Sequence, residues 1–403
     1  MSQVRSVELA GIFDSRGQPT VEATVTLESG ASGRAGAPSG ASTGSHEVTP
    51  FPKGGAAAAI SQFPSIVAPR LVGLDSSDWR AVDRMMIEID GTPQLSRLGG
   101  NTTTAVSVAT AMARANELGV PLWQVLRRPG VEERFPAIVG NCLNGGKHAI
   151  GGPDIQEFIA FAEGRSIDES IRAAIGVHHW IGSELHRRYP ALALGRGDEG
   201  GWVAPVGNEE ALGLLTEACA HVRDELGIEV HPGIDFAASE FFDKGHYHYK
   251  DRVLDPTQQL SFVTELVERY GLRFVEDPFE QEAFGEFAEL TRTIGASTLV
   301  VGDDLYVTQV ERTRRGLDMK ASNSVLIKVN QVGTLTGTFE TVDEVRSRGA
   351  STIASHRSGE TPDCWLAHVA LGIGARGIKS GVLGGERVAK LNELLRLARA
   401  HGA

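Results

Sequence analysis

The chain has 403 residues, of which 41% are hydrophobic and 22% charged, a balance that excludes disorder despite 48 glycines and fits two domains or a large barrel with an appendage. Its 39 Lys and Arg against 51 Asp and Glu give a net charge of −12, which opposes nucleic acid and anionic lipid alike. No basic and apolar leader opens the chain, no apolar run reaches the ~18 residues of a membrane helix, and the scattered Cys142, Cys219 and Cys364 form no closed disulfide set, so a cytoplasmic protein with buried free thiols is expected.

In chain order, Val21, Ala23, Val25 and Leu27 alternate with Glu22, Thr24 and Thr26 before a Glu28-Ser29-Gly30 turn, which predicts a half-buried antiparallel strand. Residues 101–118 are small and helix-tolerant and end at Gly119-Val120-Pro121. Together these predict an α+β domain over residues 1–130 that ends in the linker Arg128-Pro129-Gly130. From 131 to 403 the rhythm changes: short apolar runs end in a polar residue and are followed by helix-like stretches. The run ends are Asp235, Glu276, Asp303, Lys328, His356 and Lys379, spaced as one strand plus one helix each. Leu335, Phe339 and Val342, and later Val388, Leu391 and Leu395, carry helical spacing. The pattern predicts an α/β fold, a (β/α)8-type barrel with an N-terminal α+β capping domain, whose polar strand ends converge on one mouth.

Asp235, Glu276 and Asp303 at successive strand ends would repel one another unless a hard divalent cation such as Mg²⁺ offset their charge. The plainer alternative makes each one a helix cap or a salt-bridge partner. Lys328 and Lys379 follow in the same register. Beside other cations a lysine loses part of its affinity for its proton and becomes a base near neutral pH, while the alternative is structural ion pairing with the carboxylates. His356, Arg357 and Ser358 offer a fork for phosphate or carboxylate. The glycine-rich segments Ser39–Gly44 and Gly195–Gly201 match no nucleotide fingerprint and read by composition as surface loops. His246-Tyr247-His248-Tyr249, after an Asp243-Lys244-Gly245 turn, reads as a hairpin arm rather than a metal site.

From Phe13-Asp14-Ser15-Arg16-Gly17 to the last helix the chain resembles the enolase family. The matching stretches are PSGASTG at Pro38–Gly44, NGGKHA at Asn144–Ala149, IQEF at Ile155–Phe158, GDEGG at Gly197–Gly201, VEDP at Val275–Pro278, GDDL at Gly302–Leu305, LIKVNQVGTL at Leu326–Leu335 and SHRSGET at Ser355–Thr361. The resemblance implies a barrel of the enolase kind and a Mg²⁺-dependent dehydration of 2-phosphoglycerate to phosphoenolpyruvate. It implies two Mg²⁺ per site, the first held by Asp235, Glu276 and Asp303 and the second by the substrate phosphate and the Ser42 loop. Lys328 would take the C2 proton, and Glu199, with Glu157 and His148, would protonate the departing hydroxyl. Lys379 would hold the substrate carboxylate, and Arg357 with Ser358 the phosphate, with His356 in the same pocket. A homodimer or higher homo-oligomer is the family's habit.

The chain also departs from that family. An acidic stretch usual after the Ser-Thr loop is missing after Glu47, Gly384-Gly385 replaces an Arg-Ser pair, the segment Gly200–Pro205 has an extra residue, and Lys147 and Arg196 add cations near the matched segments. Those cations raise a second expectation: a paralogue acting on a phosphonate hydroxy acid to form carboxyphosphonoenolpyruvate.

Overall fold

The computed structural model describes residues 2–401 apart from 41–43, 132–133 and 150. Strands β1 (Val4–Phe13), β2 (Pro19–Leu27) and β3 (Ser32–Gly36) form an antiparallel sheet in that order. Helices α1 (Gly55–Ile66), α2 (Ala68–Leu71), α3 (Trp79–Asp90), α4 (Gly100–Leu118) and α5 (Leu122–Leu126) follow. The expected alternation in β2 is realised, with Val21, Ala23, Val25 and Leu27 fully buried. They pack on α4, whose alanines, threonines and serines let it lie close to the sheet. At Gly33 the approach is so tight that a Cβ would sit 2.2 Å from the Ala109 carbonyl oxygen, so only glycine fits.

The second part opens with β4 (Ala137–Asn144) and β5 (Glu157–Ala162), then α6 (Ile167–Arg188), the short hairpin β6 (Gly195–Arg196) and β7 (Trp202–Val203), and α7 (Asn208–Leu226). After β8 (Val230–Asp235) comes the expected hairpin arm, a small sheet of β9 (Phe242–Asp243), β10 (His246–His248) and β11 (Val253–Leu254). Tyr247 and Tyr249 are buried in it, while His246 and His248 face outward. Strands and helices then alternate: α8 (Pro256–Tyr270), β12 (Phe274–Glu276), α9 (Phe284–Ile294), β13 (Leu299–Gly302), α10 (Val310–Asp318), β14 (Ser324–Ile327), α11 (Val329–Val332), α12 (Leu335–Ser347), β15 (Ser351–Ser355), α13 (Trp365–Gly372), β16 (Gly377–Lys379) and α14 (Gly385–His401).

The barrel closes in the order β4, β5, β8, β12, β13, β14, β15, β16, with β16 paired back to β4. Uniform strand–helix alternation holds only from β8 onward, because β5 runs antiparallel to both β4 and β8. This reversal carries a functional consequence. The N-terminal end of β5 lies beside the C-terminal ends of its neighbours, so Glu157 pairs in register with Asn144 and Asp235 and reaches the mouth. Below the mouth the barrel is plugged by Val139, Ile159, Phe161, Phe274, Val301, Leu326 and Ile353, so polar groups gather only at the open end.

The first domain covers that end. Asn330 Nδ2 donates to the Pro38 carbonyl at 2.9 Å, and Ser39 and Gly359 exchange backbone hydrogen bonds at 2.7 and 2.8 Å. In α14 the buried face differs from the expected stripe: Val388 and Leu395 are half-buried, whereas Arg387, Lys390, Leu391 and Leu394 are buried. Two cations on the inner face shift the apparent apolar periodicity by one position.

A second seam joins α3 to α12 at Asp83, which is fully buried and accepts hydrogen bonds from the Thr336 backbone N–H at 2.9 Å and from Thr336 Oγ1 at 2.7 Å. Burial outweighs these bonds and pushes the Asp83 carboxyl up to about 6. A folded-state value above the ordinary 3.8 means that folding favours the protonated form. That contribution is fully present below about pH 3.8 and lost as pH rises through about 6. Asp83→Asn should therefore gain stability relative to the unmutated protein by on the order of 3 kcal/mol between pH 4 and pH 7, with no further change above it. Denaturant titrations of both proteins across that range test this, and a pH-independent difference contradicts it.

Candidate active site

At the mouth, Lys379 ends β16 with its ammonium enclosed by carboxylates: Glu276 Oε2 at 2.8 Å, Asp235 Oδ2 at 2.9 Å and Glu157 Oε1 at 3.1 Å. All four side chains are buried. Lys328, one residue beyond β14, pairs with Asp303, whose other oxygen accepts from Gln331 Nε2 at 2.9 Å. The lysines thus stand as ion-pair partners, and neither is a depressed-pKa base in this arrangement. Burial favours the neutral amine, but for Lys328 the Asp303 charge outweighs it and for Lys379 the charges of Asp235, Glu157 and Glu276 do so, holding both ammoniums above the ordinary lysine value. The expectation of a neutral-pH lysine fails here because the surrounding anions outnumber the neighbouring cations.

The carboxylates respond in opposite directions. Burial, then the charges of neighbouring acids, hold Glu276 and Asp277 well above the usual range. Asp303 is also penalised by burial, but Lys328 draws it below. Asp277, in a left-handed conformation at φ 40°, accepts from the backbone N–H groups of Asp303 at 3.0 Å and Asp304 at 2.7 Å and so orients the next strand end. Burial and the Asp303 charge push Asp304 up to about 7.

Across the mouth, His148 lies 4.0 Å from Glu157 Oε1 and 4.0 Å from Glu199 Oε1. Glu199 is 4% exposed, so the glycine-rich segment that carries it, exposed at Gly195, Arg196 and Asp198 as a surface loop would be, turns inward at Glu199. Hairpin β6–β7 folds it inward, and the Trp202 ring rests on Gly182 of α6, where a Cβ would clash at 2.5 Å. Glu199 Oε2 accepts from His356 Nε2 at 3.2 Å and Asn141 Nδ2 at 3.4 Å. Burial and the Glu199 charge hold Glu157 well above the carboxylate range; Glu199 is penalised by burial too, but His356, His148 and Arg387 hold it well below. Of the two acids, Glu157 thus holds a proton more readily than Glu199. His356 is lowered to about 4, mainly by burial, so at pH 7 it is neutral and acts on Glu199 through its hydrogen bond rather than by charge.

Arg357, also buried, is gripped by both oxygens of Glu47 at 3.0 and 3.1 Å and donates to Asn330 Oδ1 at 2.8 Å. Ser358 is buried beside it and lines the same cavity, whereas Ser42 lies outside the described residues. Lys147 and Arg196 do not reach the cavity: Lys147 pairs with Glu240, and Arg196 is exposed on β6. Sequence reading missed Glu47, Asn141, Gln156, Asp277, Asp304 and Gln331, none of which ends an apolar run except Asp277 and Asp304, each hidden behind an acid already assigned.

The donor set suits a hard cation. Oxygens dominate it, and Glu276 Oε1, Glu157 Oε2 and Gln156 Oε1 are buried acceptors with no hydrogen-bond donor. Asp277, Asp303 and Asp304 can bring one oxygen each within 4.8 Å of one another, as can His148, Glu157 and Glu199 with one ligand atom each. Asp235 and Glu276 each hold the Lys379 ammonium, at 2.9 and 2.8 Å.

Comparison with known proteins gives one answer along the chain. Residues 4–126 match the family described as Enolase, N-terminal domain, and residues 132–403 match Enolase, C-terminal TIM barrel domain. A protein named Enolase from Methanothermobacter thermautotrophicus is 45% identical over 98% of this chain and 96% of its own length. Proteins of the same name from Natronomonas pharaonis and Picrophilus torridus are 43% and 41% identical, each over 98% of this chain and 99% and 98% of their own.

The Lys379 cluster makes a testable demand. Lys379→Met leaves Asp235, Glu276 and Glu157 buried without their cation and should lower stability by about 3–5 kcal/mol when chelator is present. Saturating Mg²⁺ should then stabilise the variant more than the unmutated protein. Equal stability of the two proteins in chelator, measured by denaturant unfolding, contradicts the cluster's charge state.

Proposed function

The chain belongs to the enolase family, and from that premise we propose that its barrel mouth converts 2-phosphoglycerate to phosphoenolpyruvate and water with Lys328 as base and the Glu157–Glu199 pair as proton donor. One observation carries the assignment of roles. Around the closed barrel Glu157 on β5 and Lys328 after β14 are four strands apart in either direction, so base and acid approach a substrate from opposite sides.

Asp235, Glu276 and Asp303 are the residues that would hold a first divalent cation, which we take to be Mg²⁺; the second would meet the substrate phosphate at Ser42. When bound, the cations supply fixed positive charge for the substrate carboxylate, which becomes a dianion as the proton leaves C2. Lys328 acts as base once the Asp303 carboxylate is engaged elsewhere, since that anion is what holds its proton. The lysine nitrogen takes the C2 proton, the electron pair becomes the C2–C3 double bond, and the C3–O bond breaks. The proton shared by Glu157 and Glu199 leaves with the hydroxyl as water, with His148 between the two acids. Lys379 holds the substrate carboxylate, and Arg357 and Ser358 receive the phosphate after Glu47 yields its place on the guanidinium. Lys147 and Arg196, the motive for a phosphonate substrate, stand outside the cavity, and nothing favours that reading. A cytoplasmic, glycolytic role and a homo-oligomeric assembly complete the proposal. No helix among the described residues is long and apolar enough to cross a membrane.

Steady-state formation of the enol ester from 2-phosphoglycerate should cease in chelator and return with Mg²⁺; undiminished turnover in chelator contradicts the metal assignment. Lys328→Ala should lose exchange of the C2 proton with solvent deuterium by at least ~10²-fold, whereas Glu199→Gln should keep exchange and lose net dehydration. Exchange lost only in the Glu199 variant would reverse the two roles.

A further inference from the structure

Arg387 heads the largest side chains that are fully shielded from solvent, and it comes from the first turn of α14 rather than from a strand end. Its Nη1 lies 2.7 Å from His356 Nδ1 and donates to the Arg357 carbonyl at 2.6 Å. Its Nη2 donates to the carbonyls of Ser358 at 2.6 Å and Asp198 at 3.1 Å, and its Nε stands 3.2 Å from Glu386. Room for this side chain comes from the turn before α14. Gly381 and Gly384 are left-handed, with φ of 70° and 113°, and a Cβ on either would press on the Arg387 stem at 3.3 or 3.2 Å. The Gly384-Gly385 departure noted in the sequence thus lies against the arginine.

A guanidinium has donors and no acceptor. His356 Nδ1 must therefore carry the lone pair that receives Arg387, which leaves the imidazole proton on Nε2, where it is donated to Glu199 at 3.2 Å. We propose that Arg387 is a positioning residue that fixes the tautomer of His356 and through it aims and holds the Glu199 carboxylate, while the same guanidinium ties the Asp198–Glu199 segment to the Arg357–Ser358 segment. Without Arg387 the imidazole proton is free to settle on Nδ1, and Nε2 then turns a lone pair toward the Glu199 anion. The catalytic part of this inference rests on the role proposed for Glu199; the tautomer part does not.

The test uses histidine labelled with ¹⁵N in the full-length protein, with the His356 signals identified by their loss in His356→Gln. In the unmutated protein at neutral pH, long-range nitrogen–proton correlations should show a protonated Nε2 and an unprotonated Nδ1. A proton on Nδ1, or on both nitrogens, overturns the proposal without any Arg387 variant. In Arg387→Met, checked for folding by circular dichroism, the Nδ1 and Nε2 shifts should move toward a tautomer mixture. Net dehydration should fall about 10- to 100-fold, the range for one hydrogen bond to a charged group, while C2 exchange stays within about threefold. Arg387→Lys, which keeps a donor and a positive charge, should recover part of the lost dehydration. Equal loss of exchange and dehydration, or an unchanged tautomer, shows a scaffold role only and overturns the proposal. If the tautomer is as stated and the unmutated protein does not act on 2-phosphoglycerate, the proposed function fails and the Arg387–His356 relation stands.

Discussion

Everything at the barrel mouth depends on how a dense group of buried carboxylates is kept charged. Glu157, Asp235, Glu276, Asp277 and Asp303 are each at most 8% exposed, and an isolated carboxylate in such surroundings would take up a proton. Lys379 at the centre and Lys328 at one side offset part of that charge. The offset is incomplete, which is why Glu276 and Glu157 remain above the ordinary range and keep oxygens without donors. A site held in this condition gains most from further positive charge of small size and oxygen preference, which is the chemistry of a divalent cation.

The fold creates the imbalance through topology. Had β5 been parallel like its neighbours, Glu157 would open that strand at the far end of the barrel, below the apolar plug. Reversal of one strand brings it beside Asp235 and opposite Lys328. The capping domain completes the mouth from above with Glu47 on Arg357, so a substrate anion bound there as proposed would compete with an internal carboxylate for one guanidinium. Lys328 and the Glu157 acid thus face each other across the cavity, the separation that the proposed removal of a proton and a hydroxyl from adjacent carbons requires.

Much of this was legible in the sequence because barrel geometry turns a repeated pattern into a place. Asp235, Glu276, Asp303, Lys328, His356 and Lys379 each follow an apolar run, and strand ends in a closed barrel have nowhere to point except the mouth. The resemblance supplied Glu157, Glu199 and His148, which periodicity alone had not singled out. The reversed strand was not legible, since residues 158–162 are apolar in either direction. Nor were the lysine states, because ion pairing depends on distances that spacing does not encode. Arg387 and Lys390 were passed over for a physical reason: a buried cation on a helix interrupts the apolar stripe by which buried faces are recognised.

In the proposed reaction base and acid act from opposite walls. Hydration of phosphoenolpyruvate carrying deuterium at one defined C3 position tests it most directly, with the relative configuration of C2 and C3 in the product read by NMR. Addition of the proton to C2 and of the hydroxyl to C3 on opposite faces is the predicted result. Addition to the same face would place both groups on one wall and contradict the assignment of Lys328 and the Glu157–Glu199 pair.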